Sequence, residues 1–540
     1  MDRHFSRRTG AAGLRGSTLL ALAAATGLGA AAPAMAQTPQ RGGTLIAAAD
    51  TEPRNLNPAM VASNGVFYVS SKVIEPLAEM DYDEGLRPVL ATGWEGSEDG
   101  LSITFTLREG VRWHDGEPFT SADVAFSAME VWKPLQNLGR SIFANLEAVD
   151  TPDDLTAVFR FSEPTPVQLI ENALPAVSAV LPRHLYEGTE IAENPLNAAP
   201  LGTGPFVFAE HRPGEFYRLT RNDDYWAEGL PYLDAIVQRV LPDAGAKAAA
   251  LETGDIHLTA FSAVPLTDMA RLDAIDGVSV IPGGYEGITY HITVEINHRR
   301  EELANPLVRQ ALRHAIDTDF LVDVVFLGFA TPSTGPVPSS AADFYTDDVP
   351  TYDFDPARAE SLLDEAGYPR GADGTRFSLR LRPAPWFAQT RDTGDYVRQA
   401  LQEVGIAVEL VTADPGGHIR AVYTEHDFDL AIGSPVWRND PAISTTILFR
   451  GGQPAGVPFA NQYGYDDPEM NALIDAAATE LDRDARVALY HDFQRKVAED
   501  LPILNLVDFT FITVARDELQ NVANNPRWAT SSWADTWIAQ

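Results

Sequence analysis

None of the 540 residues is cysteine. The fold therefore has to rest on apolar burial and hydrogen bonding alone. The same absence removes a disulfide frame, thiolate zinc sites, iron–sulfur clusters, a cysteine nucleophile and a lipid-bearing N-terminal cysteine. A chain of this length can bury a core large enough to need no staple, and length alone suggests two to four domains. Apolar residues make up 45% and charged residues 21%, ordinary values for globular protein.

The charge is not ordinary. Seventy-six Asp and Glu face 40 Lys and Arg, a formal net charge of −36. Phosphate backbones and anionic lipid surfaces attract Lys and Arg, so this balance argues against nucleic acid and against an anionic membrane as partners. Only Lys72, Lys133, Lys247 and Lys496 are lysines; the other basic residues are arginines.

Residues 1–36 read as an address and not as part of the fold. Arg3, Arg7, Arg8 and Arg15 make a positive start, Ser17–Ala32 is mildly apolar, and Ala34-Met35-Ala36 is a small-x-small cleavage site. Cleavage is expected after Ala36, and Arg7-Arg8 suggests a twin-arginine signal, a route that carries folded proteins, the alternative being an ordinary Sec signal with two adjacent arginines. No later run of 18 apolar residues follows, so no direct membrane anchor is expected. The product is expected in the periplasm, as a monomer.

The rest of the chain mixes strands and helices. Gly43–Ala49 is a short apolar run. Leu101–Leu107 and Leu155–Phe161 alternate apolar and polar residues, the pattern of half-buried strands. Thr120 and Asp123 form a capping box for a helix to about Lys133. Phe206–Phe208 and Tyr217–Thr220 flank Pro213-Gly214 as a hairpin. Helical spacing predicts helices over 306–327, from Asp355-Pro356 to Gly367, over 393–404, and from Asp467-Pro468 and Asp482 to about Glu499. The strand Ala407–Val411 falls among them. Alternating strands and helices predict an α/β fold with mixed sheets.

Enzyme motifs are missing. There is no His-Glu-x-x-His, no Gly-x-Ser-x-Gly and no Gly-Lys pair. His291, His298 and His314 do not have the spacing of a common metal site. No metal, no cofactor and no catalytic residue is expected.

Several segments together resemble the extracytoplasmic solute-binding proteins of peptide- and nickel-type (family 5) ABC transporters. They begin with Gly42-Gly43-Thr44-Leu45, Leu56-Asn57-Pro58 and Glu75-Pro76-Leu77. The long signature runs from Thr104 to Val124, through Trp113-His114-Asp115-Gly116. Gly202-Thr203-Gly204-Pro205-Phe206, Asn222–Trp226 and Val308–Leu312 follow in the family's order, so the likeness spans nearly the whole chain. It implies a periplasmic-binding-protein-like (class II type) two-lobe hinge architecture with an extra inserted domain. Domain I would comprise 37–77, 196–291 and 508–540; domain II, the insertion, 78–195; domain III, 292–507. The implied function is the periplasmic substrate-binding component of an ABC importer. It would enclose a di- or oligopeptide, or a peptide-like amino-acid conjugate, in an interdomain cleft and hand it to an inner-membrane ABC permease. The alternatives are a nickel chelate, an oligosaccharide or an opine in the same role, and remotely a secreted hydrolase.

A buried peptide needs partners for its backbone and its charged ends. Two segments line up with the family's cleft. One contains Asn64, Gly65 and Phe67. The other contains Val436, Trp437, Arg438, Asn439 and Asp440. Asp440 is either an amine ligand or the cap of its loop, and Arg438 either a carboxylate ligand or half of an ion pair. Trp386 either stacks on ligand or packs the hinge. Tyr285, among the glycines of Gly283-Gly284-Tyr285-Glu286-Gly287, is placed at the cleft. Arg380 and Arg382 give one strand a basic face that suits a ligand carboxylate or a salt-bridged surface equally.

Overall fold

The computed structural model describes residues 38–50 and 52–539. The expected leader and its cleavage site lie outside them. Three sheets carry the architecture. In the first, seven strands run in the order Val278–Ile281, Thr513–Arg516, Leu258–Thr259, Thr44–Ala49, Ala235–Val240, Phe216–Arg221, Phe206–Arg212. Thr44–Ala49 pairs in parallel with both neighbours, while the hairpin 206–221 and the strands around Thr513 pair antiparallel. The second sheet has four antiparallel strands between residues 91 and 161. The third has six strands between residues 290 and 509, one of them the short Thr331–Pro332, with Phe377–Pro383 parallel to both its neighbours. The mixed α/β expectation holds.

Local sequence explains the elements. Ser102–Leu107 turns Ile103, Phe105 and Leu107 inward, where Phe105 packs on Phe159 beneath Trp132 and Phe143. The Thr120–Asp123 capping box is present, but only Ser121–Phe126 is α-helical and a π-helical stretch continues to Trp132. Asp355, Asp467 and Asp482 each cap their helix with a side-chain oxygen, as the Asp-first patterns predict. The predicted helix over 306–327 breaks instead after His314: Asp317 accepts hydrogen bonds from the amides of Asp319 and Phe320 and starts a new short helix. The helix expected to begin at Thr393 begins at Ala388.

The connections position the site. The four-stranded sheet lies in the chain between Thr44–Ala49 and Phe206–Arg212, both in the seven-stranded sheet. The six-stranded sheet lies between Val278–Ile281 and Thr513–Arg516, which are neighbours there. The chain therefore crosses between these two sheets twice, at about 282–290 and 509–513. The crossings lie side by side, because Tyr290 opposes Phe509. Tyr285, Tyr290, Phe387, Phe509 and Phe511 pack ring against ring around them. Apolar burial is continuous from the seven-stranded sheet into the four-stranded one, whereas the six-stranded sheet has its own core.

Candidate functional site

The loop after Leu430–Gly433 is fastened to the first crossing. His291 donates its amide to the Pro435 carbonyl at 2.9 Å, and Trp437 donates its amide to the Thr289 carbonyl at 2.7 Å. Val436 forms an antiparallel bridge with Tyr290 between them. This pairing aims the side chains that follow. Trp437 is buried edge-on against Phe344, and Asn439 adopts a left-handed backbone at φ +63°. Such a conformation is tolerated best by Gly, Asn and Asp.

Asp440 is fully buried. One oxygen accepts the Ala442 amide at 2.9 Å and so caps Pro441–Ser444. Both oxygens grip Arg486, at 2.7 and 2.8 Å, and Asn172 adds a contact at 3.2 Å. Burial alone pulls the Arg486 guanidinium down, and Asp440 more than offsets it. The carboxylate thus has a resident cation and a cap to serve, and the amine-ligand expectation for Asp440 gives way to the capping one.

Asn64 and Gly65 open the helix Asn64–Ser70, both half-buried, and Phe67 lies one turn in. The Arg527 guanidinium carbon stands 5.7 Å from the centre of the Phe67 ring. Tyr290 joins the two predicted segments. Burial raises its phenol pKa, while the Arg438 cation and the Asn64 side chain pull the other way. Asn64, Phe67, Val436, Arg438 and Asn439 therefore share one neighbourhood.

Two predicted residues stand elsewhere. Tyr285 is fully buried. Its hydroxyl accepts the Phe261 amide at 3.0 Å and exchanges a hydrogen bond with Thr513 at 2.7 Å, so it packs the crossing and is not exposed in a cleft. Trp386 lies edge-on to His418 and Phe459; the next residue, Phe387, is the one that joins the crossing's aromatic cluster. Arg380 and Arg382 both pair with Asp427, which makes theirs a salt-bridged face.

Sequence reasoning missed Tyr290, Met80 and Arg527. The available signal for Arg527 was an arginine set among Pro526, Trp528 and the terminal aromatics in so acidic a chain. Burial holds its guanidinium down to about 9, with Arg438 adding to the effect and Glu79 opposing it. Beside this neighbourhood runs a groove of about 570 Å³, walled by Met80, Tyr82 and Trp94 on one side and Phe344, Trp437 and Asn439 on the other. Asp81, Glu84, Glu171, Glu286 and Asp343 also line it, with Arg483 as the one basic residue, so its walls are both aromatic and acidic. Among the described residues no group of three His, Asp or Glu is arranged to hold a metal ion, and no helix is long and apolar enough to cross a membrane.

Comparison with known proteins gives the family. A family described as bacterial extracellular solute-binding proteins, family 5 Middle, matches residues 85–457. The glutathione-binding protein GsiB of Pectobacterium atrosepticum is 29% identical over 449 residues, covering 80% of this chain and 82% of its own length. The oligopeptide-binding protein AppA of Bacillus subtilis is 27% identical over 479 residues, 86% of each chain. Its structure in complex with a nonapeptide superposes with a TM-score of 0.74 at 25% identity, over 93% of this chain and 100% of that one. The ABC transporter substrate-binding protein CtaP of Listeria monocytogenes gives a TM-score of 0.81 at 25% identity, with the same coverage. The chain belongs to family 5 of the bacterial extracellular solute-binding proteins, and it is a binding protein of ABC transport and not an enzyme.

Proposed function

We propose that the protein captures a di- or oligopeptide, or a peptide-like amino-acid conjugate, in the groove between its lobes and delivers it to an ABC permease. The observation that carries this reading is the groove itself. It is bounded by the 433–441 loop, whose backbone is ordered by pairing with the crossing, and by aromatic walls that accept varied side chains. The names of two relatives support the ligand class: one binds glutathione, a tripeptide, and the other oligopeptides. In the same reading, 37–77, 196–291 and 508–540 form one domain, 78–195 an inserted one and 292–507 the opposing one, with hinge closure at the two crossings. The mature protein starts at Gln37 after twin-arginine export and works as a monomer.

The test is to purify the protein natively, denature it and identify by mass spectrometry what travelled with it. A peptide or amino-acid conjugate is expected. A sugar or a metal chelate in its place would keep the transport role and replace the ligand. Sequencing the N-terminus of the exported protein and measuring its mass in solution check the cleavage site and the monomer.

A further inference from the structure

The two crossings also wall a second cavity. It has about 440 Å³ and shares only Ser340 with the groove. Pro282 comes from the first crossing, Ile512 from the second, and Phe329 from the chain leading into Thr331–Pro332. Its size is that of a small-ligand pocket.

Asp508 is the one charged residue in this lining. It stands on the strand Ile503–Phe509, opposite His291 on one neighbouring strand and Thr331 on the other. Its side chain is 6% exposed. Oδ1 accepts from His291 Nδ1 at 2.7 Å, and Oδ2 forms no hydrogen bond among the described residues. His291 is a poor counter-charge. Its Nε2 is buried without a partner, so a doubly protonated imidazole would bury an N–H with no acceptor. The histidine therefore orients the carboxylate without balancing it. Buried acids elsewhere are matched. Asp440 has Arg486 at 2.7 Å, Asp429 has Arg300 at 3.0 Å, and Glu75 accepts from Thr203, Tyr225 and Trp226. Around Asp508 the cavity has no Lys or Arg, but Thr289, Thr331, Ser339, Ser340 and Thr510 all line it and carry hydroxyls.

We propose that this cavity is a second small-molecule site and takes a hydroxylated organic cation of the amino-alcohol or amino-sugar class. The ammonium group would sit on Asp508 Oδ2 and the ligand hydroxyls on the Thr and Ser side chains. An ammonium there supplies the charge-assisted hydrogen bond that Oδ2 lacks, and it balances a carboxylate that burial makes costly. Ligand hydroxyls replace the hydrogen bonds that the Thr and Ser side chains otherwise make to water, which an apolar cation would displace at a loss. The inference does not depend on what the groove binds.

Ligand-free protein is titrated calorimetrically in phosphate buffer below neutral pH, at fixed ionic strength. The probes are glucosamine and ethanolamine, each beside an uncharged match, glucose and ethylene glycol. Glucosamine is expected to bind about thirtyfold more tightly than glucose, and ethanolamine more tightly than ethylene glycol. D508N should remove that preference and leave glucose binding within about threefold. S339W, at an exposed position of the wall, should fill the cavity and abolish glucosamine binding with the carboxylate intact. It carries the test if D508N fails to fold. Charged and uncharged partners that bind equally overturn the site, and so does a parent protein that binds none of them. Glucosamine binding that both variants leave intact belongs to another acidic surface and also overturns it. Sodium or potassium ion that stabilises the parent as well as glucosamine does, with the effect lost in D508N, replaces the organic cation by an inorganic one and overturns the ligand class.

Discussion

Two residues illustrate how burial decides a role. Asp440 and Arg486 are each buried, and removing one leaves the other as an uncompensated charge. Asp440→Asn is expected to destabilise the protein by about 3–5 kcal/mol in urea unfolding. Asp440→Asn combined with Arg486→Met should recover most of that loss. An amine-binding Asp440 would behave differently, losing ligand affinity at unchanged stability. Glu295 is buried with Gln462 as its one side-chain partner, and burial raises its pKa to about 7. An acid whose folded pKa lies above its unfolded value of about 4.5 stabilises the fold most at low pH, where both states hold the proton. Between pH 4.5 and 7 the unfolded state ionises first, and stability falls. Glu295→Gln should flatten that decline by on the order of 3 kcal/mol, read from urea midpoints across the range.

At the scale of elements, caps and close approaches set the boundaries. Asp482 starts the 18-residue helix Arg483–Asp500 by accepting the Ala485 amide at 2.9 Å. Asp482→Ala should cost about 1 kcal/mol in thermal or urea unfolding and leave ligand binding unchanged. Gly202 and Gly204, in the segment that leads into Phe206–Arg212, lie against the backbone of Lys72 and Val73. A Cβ at Gly202 would fall 1.9 Å from the Val73 carbonyl oxygen. No rotamer change relieves a clash with backbone, so Gly202→Ala is expected to destabilise by roughly 3 kcal/mol. The likeness of this segment to the family thus has a packing reason. The break after His314 teaches the converse. Apolar spacing continues through Ile316, yet Asp317 offers its carboxylate to two free amides, and local capping wins over periodicity.

For the whole molecule, the relevant energy is that of bringing the sides of the groove together. Arg486 donates to Gln168 at 3.2 Å and Asn172 to Asp440 at 3.2 Å; both partners sit on the helix Val167–Val177, across from the 437–444 segment. These bonds exist only with the sides in contact. Gln168→Ala with Asn172→Ala is expected to weaken ligand binding about three- to tenfold, because the binding-competent state becomes a smaller fraction. Calorimetry reads the affinity, and small-angle scattering of the ligand-free variant should show a larger radius than the parent. The flexing elements would be the two crossings, whose aromatic packing involves Tyr285 and Phe387.

What the sequence by itself determined is local or periodic. The alternation of Ser102–Leu107, the Asp caps at 355, 467 and 482, and the run of family segments identify elements and family, because each signal lies within a few residues of its effect. Of the two segments expected at the cleft, 433–441 supplies Trp437 and Asn439 to the groove, whereas 63–67 supplies only Phe67, and that to the small cavity beside it. What only the tertiary structure decided is which charges meet. Asp440 finds Arg486 forty-six residues away, while the buried Arg527 keeps an Nη1 without a hydrogen-bond partner. Nothing in the local sequence of these residues distinguishes the paired cation from the unpaired one. Charge pairing depends on burial and on distance through space, and both arise only when the sheets pack.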